Sequence, residues 1–156
     1  AVILRKSISS KPFITLREEL DTIDSYIRIQ KIRFSGRFLY ETEIPDLLEE
    51  SMIPKMILQP LVENAVKHGI CVKEQGGSIV IRTCVCDLGY QIEVSDDGVG
   101  FDIEAEQNDG KIHVGIQNVR RRLALMVNGT LRLESRLGCG TVATITIPRA
   151  GIQTRA

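Results

Sequence analysis

Asn64, Lys67 and His68, in the segment LQPLVENAVKHG at 58–69, recur at the three- and four-residue spacing of one helix face, with Glu63 beside them. Polar groups stand there where the surrounding periodicity calls for core. A second segment, SDDGVGFD at 95–102, ends an alternating strand in two carboxylates and two glycines. Gly98 and Gly100 let the backbone approach a flat ligand closely, while Asp96 can accept a hydrogen bond from it. In a third, HVGIQNVRRRL at 113–123, Gly115 falls at a helix start, whose unpaired N–H groups suit phosphate. A fourth, Gly138-Cys139-Gly140-Thr141, opens the last strand. Other chemistries fit less well. There is no Walker lysine motif, Ile103 stands where a dinucleotide fingerprint needs its third glycine, and the acids around Gly98 follow a strand rather than the helix of a calcium loop. Cys71, Cys84, Cys86 and Cys139 lack the two-residue gap of zinc and redox motifs and read as reduced thiols.

These residues need elements to hold them. Leu16, Leu20, Ile23 and Ile27 mark an amphipathic helix over 14–34, with Thr15 and Glu18 as its capping box and Ser35-Gly36 as its end. Phe38, Tyr40 and Thr42 alternate in a strand, and Pro45-Asp46 turns the chain. A helix is expected over 54–68, started by Pro54 and stopped by Gly69, with Pro60 imposing either a kink or a second start. Residues 78–87 and 90–95 form a hairpin, and the polar stretch 101–112 has the composition of a mobile loop. Val114 to Val127 has helical spacing, Asn128-Gly129 turns, and 131–135 with 141–147 close a second hairpin. Hairpins with helices between them predict an α+β fold, a two-layer sandwich of one mixed, mainly antiparallel sheet with the helices on one face. Met52 and Met56 read as core, and Arg120, Arg121 and Arg122 as a solvated helix face.

At 156 residues and 43% hydrophobic composition the chain can bury one full core. Twenty basic residues balance twenty acidic ones, which argues against a nucleic-acid grip. No apolar run reaches the roughly 18 residues of a membrane span. Because the chain opens on Ala rather than Met, it reads as a piece of a longer protein whose membrane segment could lie upstream.

The four segments, in this order and spacing, resemble the ATP-binding domain of sensor histidine kinases, part of the superfamily that includes DNA gyrase B, MutL and the heat-shock chaperone ATPases. The resemblance covers roughly 50–149. LQPLVENAVKHG with GIQNVRRRL, preceded by TLREELDTIDSYIRIQKIRF, is most similar to the branch typified by LytS and YesM proteins. It implies a Bergerat-type fold and a site for ATP and Mg²⁺. Asn64 matches the Mg²⁺-ligating asparagine, and Lys67 and His68 match phosphate-side positions. Asp96 matches the acid that takes the adenine amino proton, with Gly98 and Gly100 lining the ring. Gly115 matches a glycine near the phosphates, and Thr141 the threonine that completes the adenine contact through water. Residues 101–112 fall at the family's ATP lid, and Glu63 either polarises a nucleophile or supports the helix.

Two departures bear on mechanism. His113 replaces the first glycine of a Gly-x-Gly pair, and Pro60 stands where ATPase branches carry their water-activating glutamate. A proline cannot be a base, which favours phosphoryl transfer over hydrolysis. The resemblance further implies a phosphoacceptor histidine on an upstream dimerisation domain, of which residues 1–12 would be the tail, with 13–149 the catalytic domain and 150–156 a C-terminal tail. A homodimer, a response regulator as partner, and a cytoplasmic position in a membrane-anchored bacterial sensor follow from the same likeness. An anti-sigma-type serine kinase and a degenerate nucleotide-binding module are the alternatives.

Overall fold

The computed structural model describes residues 11–108 and 114–151. Strand β1 (Phe13–Thr15) leads into helix α1 (Leu16–Arg33), whose capping box forms as the sequence predicts: Thr15 Oγ1 accepts the Glu18 N–H at 3.1 Å and Glu18 Oε2 accepts the Thr15 N–H at 2.8 Å. Strand β2 (Phe38–Glu43), a short helix α2 (Asp46–Glu49) and strand β3 (Met52–Pro54) follow. Next come helix α3 (Gln59–Asn64), which continues as a π-helical turn Ala65–Ile70, the hairpin β4 (Gly77–Cys86) and β5 (Gly89–Asp96), and helix α4 (Ile103–Asn108). Helix α5 (Val114–Val127) and the hairpin β6 (Thr130–Arg136) and β7 (Gly140–Pro148) complete the fold.

The main sheet runs β2-β4-β5-β7-β6, with β2 parallel to β4 and the other neighbours antiparallel. Alternation decides its two faces. Ile79, Ile81, Ile92, Val94, Ala143, Ile145 and Ile147 are buried in one core with Leu16, Ile23 and Ile27 of α1 and Ile116, Val119 and Leu123 of α5. The residues between them, such as Arg82 with its partners Glu43 (2.6 Å) and Glu93 (3.8 Å), occupy the other face. This is the expected two-layer sandwich.

Four local expectations are corrected. Pro54 does not start a helix: it pairs with Phe13 in a two-stranded β1-β3 sheet, in which each strand is an edge strand and so tolerates the missing N–H. Met56 then turns the chain at φ +65° and is 38% exposed instead of lying in the core. The helix starts at Gln59, so Pro60 marks a second start and not a kink. Gly69 does not stop it, because the π turn carries through to Ile70, with the Cys71 N–H reaching back to the Val66 carbonyl at 3.0 Å. Within the stretch read as a loop, α4 forms because Asp102 Oδ1 accepts the Glu104 and Ala105 N–H groups at 3.0 and 3.2 Å, an N-cap the reading passed over. Residues 109–113, including His113, lie outside the described residues, as do 1–10 and 152–156.

Candidate functional site

A cavity of about 240 Å³ opens between α3, the π turn, the start of α5 and the inward face of β5, β6 and β7. Leu61, Ala65, Val94, Ile116, Leu133 and Ala143 give it apolar walls, and its polar side chains are Asn64, His68, Asp96 and Thr141. Strand periodicity puts two of them there. Asp96 follows Val94 by two residues on β5, Thr141 precedes Ala143 by two on β7, and Asp96 and Thr141 are partners across the ladder.

Asp96 and Asp97 face opposite ways. Asp97 accepts the Ser78 N–H at 2.7 Å and the Ser78 hydroxyl at 3.1 Å, while its carbonyl takes Lys73 Nζ at 2.8 Å, so it pins the start of β4. Asp96 turns into the cavity with Oδ1 accepting the Gly98 N–H at 2.9 Å. Burial pushes its carboxyl up to about 6, against the Gly98 and Thr141 N–H groups, which favour the ionised form.

Glycines bring the segments into contact. A Cβ on Gly69 would stand 2.7 Å from Asp96 Oδ1, and one on Gly98 would run into the backbone of Gly69. The Val99 N–H donates to the Gly69 carbonyl at 3.1 Å, so the glycine loop lies against the π turn. Gly100, at φ +61°, lines the cavity beside Phe101. Ser135, which the sequence reading did not single out, ties the other side: its hydroxyl donates to the Gly140 carbonyl at 3.0 Å and accepts the Phe101 N–H at 2.9 Å. It also lies 2.8 Å from Thr141 Oγ1. With Ser135's one proton committed to Gly140, Thr141 donates in that pair, which fixes its hydroxyl.

Asn64 Nδ2 is buried without a hydrogen-bond partner, and the residue lines the cavity. Amide oxygen and nitrogen exchange by a flip, so the carboxamide can offer either to the cavity. Among the described residues no group of three or more His, Cys, Asp or Glu could hold a metal. The one protein oxygen that the Asn64 carboxamide can turn to the cavity is a hard ligand, of the kind that suits a Mg²⁺ held mainly by groups other than protein side chains.

The remaining predicted site residues do not line the cavity. Lys67 is exposed and pairs with Glu63 at 3.7 Å, and Glu63 also accepts from Gln59 Nε2 at 3.1 Å. Gly98 supports Asp96 from behind, and Gly115 faces Pro60, whose Cβ would be 3.5 Å from an added Cβ. In the arginine run, Arg122 is no solvated bystander: its Nη1 donates to the Lys55 carbonyl at 2.5 Å.

Residues 50–151 match the family described as histidine kinase-, DNA gyrase B-, and HSP90-like ATPase. The chain belongs to this ATPase family. Residues 1–38 match a second family, described as histidine kinase. Sensor histidine kinase YesM of Bacillus subtilis (strain 168) is 34% identical over 154 residues, which is 94% of this chain and 26% of that protein. Sensor protein LytS of Bacillus cereus is 30% identical over 146 residues, 87% of this chain and 25% of that protein. The chain thus spans about a quarter of the length of these relatives. The histidine kinase domain of the blue-light activated histidine kinase of Erythrobacter litoralis EL346 superposes with a TM-score of 0.66 at 19% identity, covering 91% of this chain and 66% of that one, and shares the fold. The domain is a histidine-kinase ATPase domain in sequence and architecture. No described helix is long and apolar enough to cross a membrane.

Proposed function

We propose that this domain binds ATP with Mg²⁺ in the cavity between the π turn and the sheet. In the whole protein it would position the γ-phosphate for transfer to a histidine on a dimerisation domain preceding residue 13. The observation that carries this is the half-buried Asp96 carboxylate, which shares a largely apolar-walled pocket with the unpartnered amide of Asn64. An acceptor among apolar walls suits a flat heterocycle that presents an amino group. The volume lies below the roughly 300–1,000 Å³ of drug-sized sites, so the phosphates would extend out past Asn64 and His68.

Asn64 would hold the metal, which on binding neutralises charge on the phosphate oxygens. Thr141 would complete the contact to the base, Gly98 and Gly100 would flank the ring, and Gly115 would support the phosphate side through the start of α5. Lys67 would reach a phosphate only by leaving Glu63. The acceptor imidazole nitrogen gains the phosphoryl group as the bond to the ADP oxygen breaks, and positioning supplies most of the rate. Pro60 supplies no base at the helix start, which is why transfer is favoured over hydrolysis. A homodimer, a response regulator that receives the phosphoryl group, and a place on the cytoplasmic side of a bacterial membrane complete the reading.

Calorimetry with ATP·Mg²⁺ tests it. The chain should bind, and Asp96→Asn should weaken binding about 10–100-fold by turning a charged acceptor into a group that is partly a donor. Unchanged affinity would sink the assignment. Incubation with labelled ATP should leave the chain unlabelled, and acid-labile phosphate on His68 or His113 would overturn the placement of the acceptor elsewhere.

A further inference from the structure

Helix α3 carries Asn64 at its end, and beyond the fixed φ of Pro60 its own sequence supplies no cap for its beginning. Leu58, at the N-cap, makes no side-chain capping bond, and Pro60 has no N–H to offer. The start is held from outside. Glu19 of α1, 2% exposed, reaches across the core and with Oε1 accepts the N–H of Leu58 at 2.8 Å and of Gln59 at 3.2 Å. From the other side Arg122 of α5 holds the Lys55 carbonyl, and Gly115 admits the Pro60 ring. At the far end, the Asn64 amide has no partner for its buried Nδ2. The path of the helix, rather than a neighbouring side chain, thus sets where that amide points.

A buried carboxyl is costly to keep. Glu19 Oε2 is itself buried without a close hydrogen bond, and desolvation raises the group's pKa against the pull of the backbone N–H groups of Leu58, Gln59, Ile57 and Met56. A methionine would fill the same space but leave the Leu58 and Gln59 N–H groups unpaired, so the carboxylate is kept for its bonds to the start of α3.

We propose that Glu19 is a positioning residue for the metal-binding amide: by capping α3 from α1 it sets the direction of Asn64 and hence the Mg²⁺-dependent part of nucleotide affinity. The proposal rests on the ATP·Mg²⁺ reading above. Because Glu19 belongs to α1, a shift of α1 relative to the sheet would be felt first at the helix bearing Asn64 and only later at Asp96, which the sheet holds.

The test compares ATP affinity of the 156-residue chain in excess Mg²⁺ and in chelator, for the parent, Glu19→Gln, Glu19→Ala and Glu19→Met. The ratio of the two affinities is the Mg²⁺-dependent gain. Gln keeps the accepting oxygen and should keep the gain. Ala and Met lack it and should lose about tenfold of the gain, the scale of outer-shell changes at metal sites, while the metal-free affinity moves less than about threefold. Met conserves volume, so it carries the measurement if Ala fails to fold. Equal weakening with and without metal, or a full gain in the Met variant, would reduce Glu19 to packing and overturn the proposal. A parent chain that binds ATP with no Mg²⁺-dependent gain would instead remove Asn64 as the metal ligand, and a parent that binds no ATP would remove the site reading itself. Either outcome takes this proposal with it.

Discussion

Asp96 and Asp97 are the same residue twice, and one step of strand alternation gives them opposite tasks. The outward carboxylate accepts the Ser78 N–H and hydroxyl; the inward one is left in the cavity with its carboxyl pushed up to about 6. That shift has a stability consequence whose sign is unusual for an acid. The unfolded chain releases the proton near 3.9, the folded chain only near 6, so between those values the folded state holds the extra proton. The contribution of Asp96 to the stability of the nucleotide-free chain should therefore decline as pH rises from about 4 to about 6 and stay level above it, by about 3 kcal/mol before allowance for partial exposure. Asp96→Asn, which cannot ionise, should raise the nucleotide-free melting temperature at pH 7.5 while it weakens nucleotide binding. A variant that melts lower than the parent would show that burial of the charge is not what strains this position. Affinity for ATP should fall as pH drops through about 6, where the acceptor takes up its proton. The alternation that selects Asp96 is legible in SDDGVGFD; the Asp97 partner, Ser78, lies across the sheet and is not.

At the scale of elements, local signals succeeded where the structure is local. The capping box at Thr15 and Glu18, the hairpins and the period of α5 are all carried by residues within one turn of each other. Pro54 and Pro60 show the limit. Both look like helix starts, and only pairing of Met52–Pro54 with Phe13–Thr15, nearly forty residues earlier in the chain, assigns the first to a strand. The π turn is likewise invisible in the sequence, and it lies against a glycine loop distant in the chain: the Val99 N–H donates to the Gly69 carbonyl, and Gly98 comes this close to the Gly69 backbone only because it has no side chain of its own. Two glycines from the same predicted site should then differ sharply. Gly98→Ala drives a methyl into backbone that cannot swing away, and should cost about 1–3 kcal/mol and close the cavity to nucleotide. Gly115→Ala meets only the Pro60 ring at an ordinary 3.5 Å and should leave stability within about 0.5 kcal/mol. Chemical denaturation of the two variants checks this, and equal midpoints would mean that the loop does not depend on the close approach to the π turn.

The molecule as a whole is not divided where its family resemblances divide. The histidine-kinase match ends at residue 38 and the ATPase match begins at 50, which invites a cut between them. The core refuses that cut. Leu16, Ile23 and Ile27 of α1 are at most 3% exposed within the same cluster as the sheet, Phe38 of β2 is buried beside them, and Glu19 caps the helix that bears Asn64. Removing them also strips β1 from β3 and β2 from β4. Burial of a large aliphatic side chain contributes about 1.5–3 kcal/mol, so three lost from α1 alone amount to about 5–9 kcal/mol, against a total stability of about 5–15 kcal/mol for a typical domain. A fragment of residues 50–156 should therefore fail to unfold cooperatively, whereas the 156-residue chain should melt in one transition. Circular dichroism melts of the two decide it. A cooperative, near-parental transition in the shorter fragment would make α1 an attachment to the ATP site, and its shifts could not then be transmitted to Asn64 through a shared core.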